Sequence, residues 1–225
     1  MIPLRDNIPS SRRPVVMLLL IAACVLVFLH MLQIPSPRAK ERLIDNYSVV
    51  PAQFTGHAPI QGDTPLLVRL VTNLFMHEGW VHLLGNMLFL WIFGDNVEDA
   101  MGHGPFLVFY LLCGMAGNMG HILTNPLSSG PTIGASGAIA GILGAYLILF
   151  PQARVLCLVP LWVFLQFVWV PAMVFLPVWI ALQLISGLTS LGMGDVGGGV
   201  AWWAHVGGFV TGAILVRAFV APWAR

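Results

Sequence analysis

The sequence predicts an all-α membrane protein built as a bundle of six transmembrane helices, with a long lateral loop between the first and the second. Three observations carry this expectation. Of the 225 residues 58% are apolar and 8% charged, whereas a soluble domain carries roughly 25% charge. Apolar runs recur near the length of roughly 20 residues that a helix needs to cross a hydrocarbon core about 30 Å thick. The few polar side chains inside those runs collect near one end of alternate runs.

The first run covers residues 14–32. It is longer than the apolar core of a secretory leader and no A-x-A site follows, so it is expected to stay in the mature chain. Further spans are expected at 79–94, 105–123, 135–150, 171–190 and 200–219, flanked by short cytoplasmic tails at 1–13 and 221–225. Residues 14–220 then form one membrane domain. Between Asp99 and Asp195 the only residue of the Asp, Glu, Lys and Arg set is Arg154.

Two segments do not fit this ruler. Residues 33–78 hold most of the charges, and their later part, Pro65 to Met76, is apolar enough to lie in the membrane interface. We read it as a lipid-facing lateral loop. The stretch from Val155 to Val170 has the hydropathy of a seventh span, but Pro160, its β-branched residues, Trp162 and Trp169 suit an extended or interfacial segment as well.

Orientation follows from Arg5, Arg12 and Arg13 before the first span. With six spans Arg154, Arg217 and Arg225 fall on the same side, which makes the amino terminus cytoplasmic. Arg38, Lys40, Arg42 and Arg69 in the 33–78 loop oppose this bias. Net charge is +1, so no nucleic-acid partner is implied. Cys24, Cys113 and Cys157 are far apart in apolar surroundings and read as core thiols; no metal or cofactor is expected.

Polar residues inside a membrane span are costly and mark function by default. His82 and Asn86, in H-L-L-G-N, sit near the start of the second span, four apart and therefore on one helix face. Ser136 opens the fourth span in G-A-S-G, and His205 lies near the start of the sixth in A-H-V-G-G. With six spans all three helices begin on the outer side, so four polar groups share one depth in one leaflet. Were 155–170 a span, His205 would lie a membrane away from Ser136.

Glycine spacing supplies a way for the serine and histidine to meet. Gly134, Gly137, Gly141 and Gly144 recur at steps of three, four and three, and Gly208 and Gly212 share the face of His205. Stripes of this kind let backbones approach closely. A serine becomes a nucleophile when a neutral histidine within hydrogen-bond reach takes its proton. At a helix amino terminus, free N–H groups and the dipole favour an oxyanion, and His82 and Asn86 add side-chain donors. Each residue also has a structural reading: Ser136 bonded to its own backbone, His82 and Asn86 as an interhelical clamp, His205 as a packing or proton-relay residue, the glycines as packing alone.

The combination of H-x-x-x-N, G-A-S-G on a glycine-striped helix and A-H-x-x-G, in this order, resembles the rhomboid family over about residues 69–212. The resemblance implies a compact bundle of six helices that hydrolyses peptide bonds in or beside the membrane spans of other proteins. It implies Ser136 as nucleophile, His205 as base, and His82, Asn86 and the Ser136 backbone as the oxyanion site, with Gly134 allowing close approach to the serine. Two positions depart from relatives. Arg69 follows Val68 where many members have Trp-Arg, and Ala140 stands where some place an aromatic ring beneath the histidine. No carboxylate is placed to complete a triad, since Asp195 lies ten residues before His205 in a Gly-rich loop. A Ser-His dyad is therefore expected.

The fourth span, 16 residues, covers roughly 24 Å at 1.5 Å rise, so Ser136 is expected a few ångströms below the outer surface in a cavity open to water. Substrates, single-span proteins by resemblance, would enter sideways from lipid past the fifth helix, where Pro171 and Pro177 suggest a movable gate. A bacterial inner membrane is the expected location. A non-cutting relative would lack a catalytic residue, and a transporter would show inverted repeats or charges at mid-membrane.

Overall fold

The computed structural model describes residues 1–161, 164–192 and 199–221. Trp162, Asp195 and Arg225, used in the sequence reading, lie outside the described residues. The chain runs β1 (Ile2–Asp6), α1 (Val15–Gln33), α2 (Pro37–Tyr47), α3 (Pro51–Phe54), α4 (Leu66–Thr72), a 3-10 turn (Asn73–Phe75), α5 (Trp80–Met101) and α6 (His103–Thr124). It continues with α7 (Ser136–Leu149), β2 (Arg154–Leu161), β3 (Phe164–Pro171), α8 (Ala172–Gly192) and α9 (Trp202–Phe219).

Helix α1 is apolar all round, yet its buried residues Met17, Leu20, Cys24, Phe28 and Met31 recur at three and four, which is one stripe facing the bundle. Leu19 and Leu26 on the other face are exposed, as a lipid solvent requires. At the heart of the bundle lies α7, every residue of which from Gly137 to Tyr146 is buried. Three helices, α1, α6 and α8, are long and apolar enough to cross a membrane by themselves. The second, fourth and sixth predicted spans fall on α5, α7 and α9, which are shorter or more polar.

Helix ends show which elements share a side. Glu98 near the end of α5 is buried and accepts the first free N–H groups of α1, those of Val16 at 2.9 Å and Met17 at 2.7 Å. A carboxylate there satisfies orphan donors and opposes the helix dipole, worth about 1 kcal/mol. Tyr146, late in α7, donates to Asp6 of β1, and Ala221 N, after α9, donates to Ala100 O. The start of α1 and the ends of α5, α7 and α9 thus lie at one pole of the molecule.

The all-helical expectation needs correcting at that pole. A three-stranded antiparallel sheet of order β1-β2-β3 closes it, with Ile2 opposite Leu158 and Leu156 opposite Trp169. The described parts of 155–170 form its antiparallel strands β2 and β3, and alternation places Val155 and Cys157 in the main core. Residues 2–6, expected as tail, are its third strand. The tail cannot hang free once Asn96 and Asp99 bind the backbone of Ile8 and Ser11.

The 33–78 loop is also more ordered than its polarity suggested. Arg69 is fully buried, and its guanidinium donates to the carbonyls of Thr64, Asp45 and Gln61 and to Gln53 Oε1, at 2.5 to 3.0 Å. One planar fork therefore gathers α2, α3 and the loop of Gln61 and Thr64, a task that a lysine point charge cannot perform. Leu67 and Val68 on α4 remain exposed.

Candidate active site

Opposite the sheet, α5, α7 and α9 begin. Ser136 is the first residue of α7, so the amide N–H groups of that helix's first turn lack intrahelical partners. The preceding Gly134 has φ +128°, a conformation that L side chains rarely adopt, and an added Cβ would lie 2.7 Å from His82 Nε2. Glycine is needed here for both backbone and space. Gly134 was expected to continue the glycine stripe of α7; it stands in the loop instead and faces α5.

The glycines that follow do face a partner helix. An added Cβ on Gly208 would lie 1.9 Å from the carbonyl oxygen of Gly137, one on Gly212 2.0 Å from that of Gly141, and one on Gly144 2.2 Å from that of Phe209. The α7 and α9 backbones are in direct contact, and Gly137 and Ala204, the chain neighbours of Ser136 and His205, face each other across it. Helix α6 joins this seam, since a Cβ on Gly117 would lie 2.6 Å from Ala204 O.

All four predicted polar residues, His82, Asn86, Ser136 and His205, line one cavity of about 700 Å³, together with Gly134 and Gly137. Gly141, Gly144, Gly208 and Gly212 lie deeper, in the helix seam. His205 and Asn86 are buried. Asn86 Nδ2 has no hydrogen-bond partner among the described residues. A buried donor left unpaired costs about 1–3 kcal/mol, so its persistence beside a cavity calls for a function.

Several residues escaped the sequence reading. Asn73 and Asn118 exchange amide hydrogen bonds at 3.0 and 2.9 Å, while Asn73 O accepts from Gly134 N at 2.9 Å. This pair ties the loop before Ser136 to α6. His77, fully buried next to the His82 ring at 5.1 Å, is pushed down to about 4 by burial and then by the His82 charge, which keeps it neutral. Ala140 is indeed buried without reaching across to the histidine; Gln183 and Trp179 of α8 take that place. His205 Nδ1 lies 2.7 Å from Gln183 Oε1, and the Trp179 and Trp202 rings flank the imidazole at 5.9 and 6.1 Å. The overlooked signal was a lone amide, Gln183, within an apolar span.

A Rhomboid domain model matches residues 65–222. The chain belongs to the rhomboid family. It is 44% identical over 79 residues to the Rhomboid protease GluP of Bacillus subtilis, which covers 35% of this chain and 15% of that protein. Rhomboid protein 1, mitochondrial, of Saccharomyces cerevisiae is 34% identical over 96 residues, 41% of this chain and 28% of that one. RHOMBOID-like protein 6, mitochondrial, of Arabidopsis thaliana is 30% identical over 150 residues, 65% of this chain and 42% of that one. Each alignment thus covers less than half of the relative's length. Membership makes this rhomboid chain an integral membrane protein, which agrees with its apolar helices.

Proposed function

We propose that this rhomboid protein is an intramembrane serine endopeptidase that cuts other membrane proteins through a Ser136–His205 dyad. The observation that carries the reading is the convergence of His82, Asn86, Ser136 and His205 on one cavity at a common pole. In this mechanism Ser136 Oγ attacks the scissile carbonyl carbon while His205 takes the hydroxyl proton. The oxyanion is met by the unpaired Asn86 amide, by His82 and by the backbone N–H groups that open α7. His205 then passes its proton to the leaving amine, and water hydrolyses the acyl-enzyme by the same route reversed.

The membrane arrangement belongs to the same proposal. Six spans, with the sheet pole cytoplasmic and the cavity facing outward, put Arg12, Arg13, Arg154 and Arg217 on the cytoplasmic side, in keeping with the positive-inside bias. Substrates enter sideways past α8, a reading supported by its being the least buried of the three helices long and apolar enough to cross a membrane. Single-span substrates follow from the family resemblance, and the proposal takes a bacterial inner membrane as the location.

The test is a fluorophosphonate probe on the protein purified in lipid. Labelling is expected in the wild type and in Ser128→Ala and lost in Ser136→Ala. Failure to label the folded wild type, or labelling that survives Ser136→Ala, overturns the reading.

A further inference from the structure

A histidine base must hold one ring orientation and one tautomer, and on α7 nothing beneath His205 does this, because position 140 is alanine. The support comes from a different helix. Gln183 Oε1 lies 2.7 Å from His205 Nδ1, and both residues are at least nine-tenths buried. The orientation of the Gln183 amide is set by its other end, where Nε2 donates to Trp179 O at 3.4 Å. The atom facing the imidazole is therefore the carbonyl oxygen, which only accepts. His205 Nδ1 must carry the proton, and its Nε2 keeps the lone pair that a base requires.

We propose that Gln183 is a positioning residue for His205, acting as the neutral third member of the site. The inference rests on the protease reading above. A carboxylate in this place would stabilise the imidazolium by charge as well as by a hydrogen bond; an amide supplies only tautomer, direction and a dipole. Among the described residues the titratable groups that His205 senses are His82 of α5 and His121 of α6, with Glu78 exposed in the cavity lining. None is a buried carboxylate that could replace Gln183. Trp179 and Trp202, flanking the ring at 5.9 and 6.1 Å, limit its rotation.

Three variants in proteoliposomes separate positioning from packing, with a transmembrane fluorogenic substrate and kcat measured across pH. Gln183→Leu keeps the volume and removes the acceptor: kcat is expected to fall about 10- to 100-fold, with KM within about twofold. Gln183→Glu restores an acceptor with a charge: it is expected to recover kcat and to move the acid limb of the kcat profile to higher pH, since a neighbouring carboxylate favours the imidazolium. Ser186→Ala, on the same helix, is expected to match the wild type. A Gln183→Leu enzyme within twofold of wild-type kcat, or a Gln183→Glu profile whose acid limb does not move, overturns the proposal.

A readout without turnover distinguishes this failure from failure of the protease reading. In histidine labelled with nitrogen-15, the resonance assigned by difference with His205→Gln should report the Nδ1–H tautomer in the wild type and a mixture in Gln183→Leu. An Nε2–H tautomer in the wild type refutes the role of Gln183 whether or not the protein cuts. Absence of turnover combined with the Nδ1–H tautomer would instead sink only the protease reading.

Discussion

Gly208→Ala probes the contact on which the proposed chemistry depends. The added methyl would lie 1.9 Å from Gly137 O, 2.8 Å from its carbonyl carbon and 3.4 Å from its Cα. The obstacle is helix backbone on both sides, so no side chain can swing away. Restoring ordinary contact requires α7 and α9 to part by about 1.5 Å, or to bend. Overpacking on this scale costs roughly 1–3 kcal/mol. The larger consequence is geometric, because Gly137 and Gly208 are neighbours of the two proposed catalytic residues. A misplacement of about 1 Å between nucleophile and base costs on the order of 10²-fold in rate. We expect Gly208→Ala to lower kcat by about 100-fold while the protein stays folded with a reduced melting temperature.

The control is Gly104→Ala on α6, where a Cβ would meet nothing within 4 Å. That change should be neutral or stabilising by up to about 1 kcal/mol, as alanine is the better helix former. Cleavage of a fluorogenic transmembrane substrate in proteoliposomes and thermal unfolding of the same samples decide the matter. Wild-type activity and melting in Gly208→Ala would refute direct backbone contact between α7 and α9.

Other consequences can be checked with the same samples. Arg69→Met removes a buried cation and orphans its four neutral acceptors, at a cost of about 1–3 kcal/mol for each that stays buried, and should lower the melting temperature and open residues 37–64 to limited proteolysis. His77 is neutral in the folded chain with its pKa depressed to about 4, whereas an unfolded histidine takes its proton near 6.5. The unfolded state therefore binds more protons between these values, and stability falls with pH below about 6.5, by up to about 3 kcal/mol near pH 4; His77→Leu should flatten that slope in melting curves, and an unchanged slope would refute the assignment. Trp179 touches both the Phe89 ring at 6.2 Å and the His205 ring at 5.9 Å, so Trp179→Leu should lower KM by loosening entry and lower kcat by freeing the imidazole. A rise in kcat would show that α8 gates without positioning.

What the sequence made legible was whatever a local pattern dictates. Apolar runs of bilayer length mark α1, α6 and α8 because hydrocarbon leaves no other means of satisfying a backbone. The convergence of His82, Asn86, Ser136 and His205 was readable because polar groups in lipid are too costly to be casual, while their chemical roles rest on the proposal. Pairing of β1 with β2 was not legible: Ile2–Asp6 is five residues long and meets its partner some 150 residues later. Such non-local pairing leaves little trace in either strand. The departure of Gly134 from the α7 stripe was hidden for a related reason. Spacing alone cannot tell a helical glycine from one at φ +128°. Arg69 read as a loop charge, and only its four acceptors, on α2, α3 and the loop before α4, show that it is a core residue.

In the proposed mechanism the position of Gln183 ties together two features that the sequence kept apart, the entry helix and the base. Of the three helices long and apolar enough to cross a membrane, α8 has the smallest share of buried residues. It also carries the amide that holds His205 Nδ1 and the indole that flanks the ring. An α8 displaced to admit a substrate would withdraw both, leaving a serine whose base is free to rotate and to change tautomer. Cleavage then requires α8 to return against the bound segment, so that a peptide that props the helix open is held but not cut. On this argument the alanine at position 140 has a physical meaning. A ring at that position would fix the histidine from α7, independently of α8, whereas in the proposed mechanism α8 decides when the base is ready.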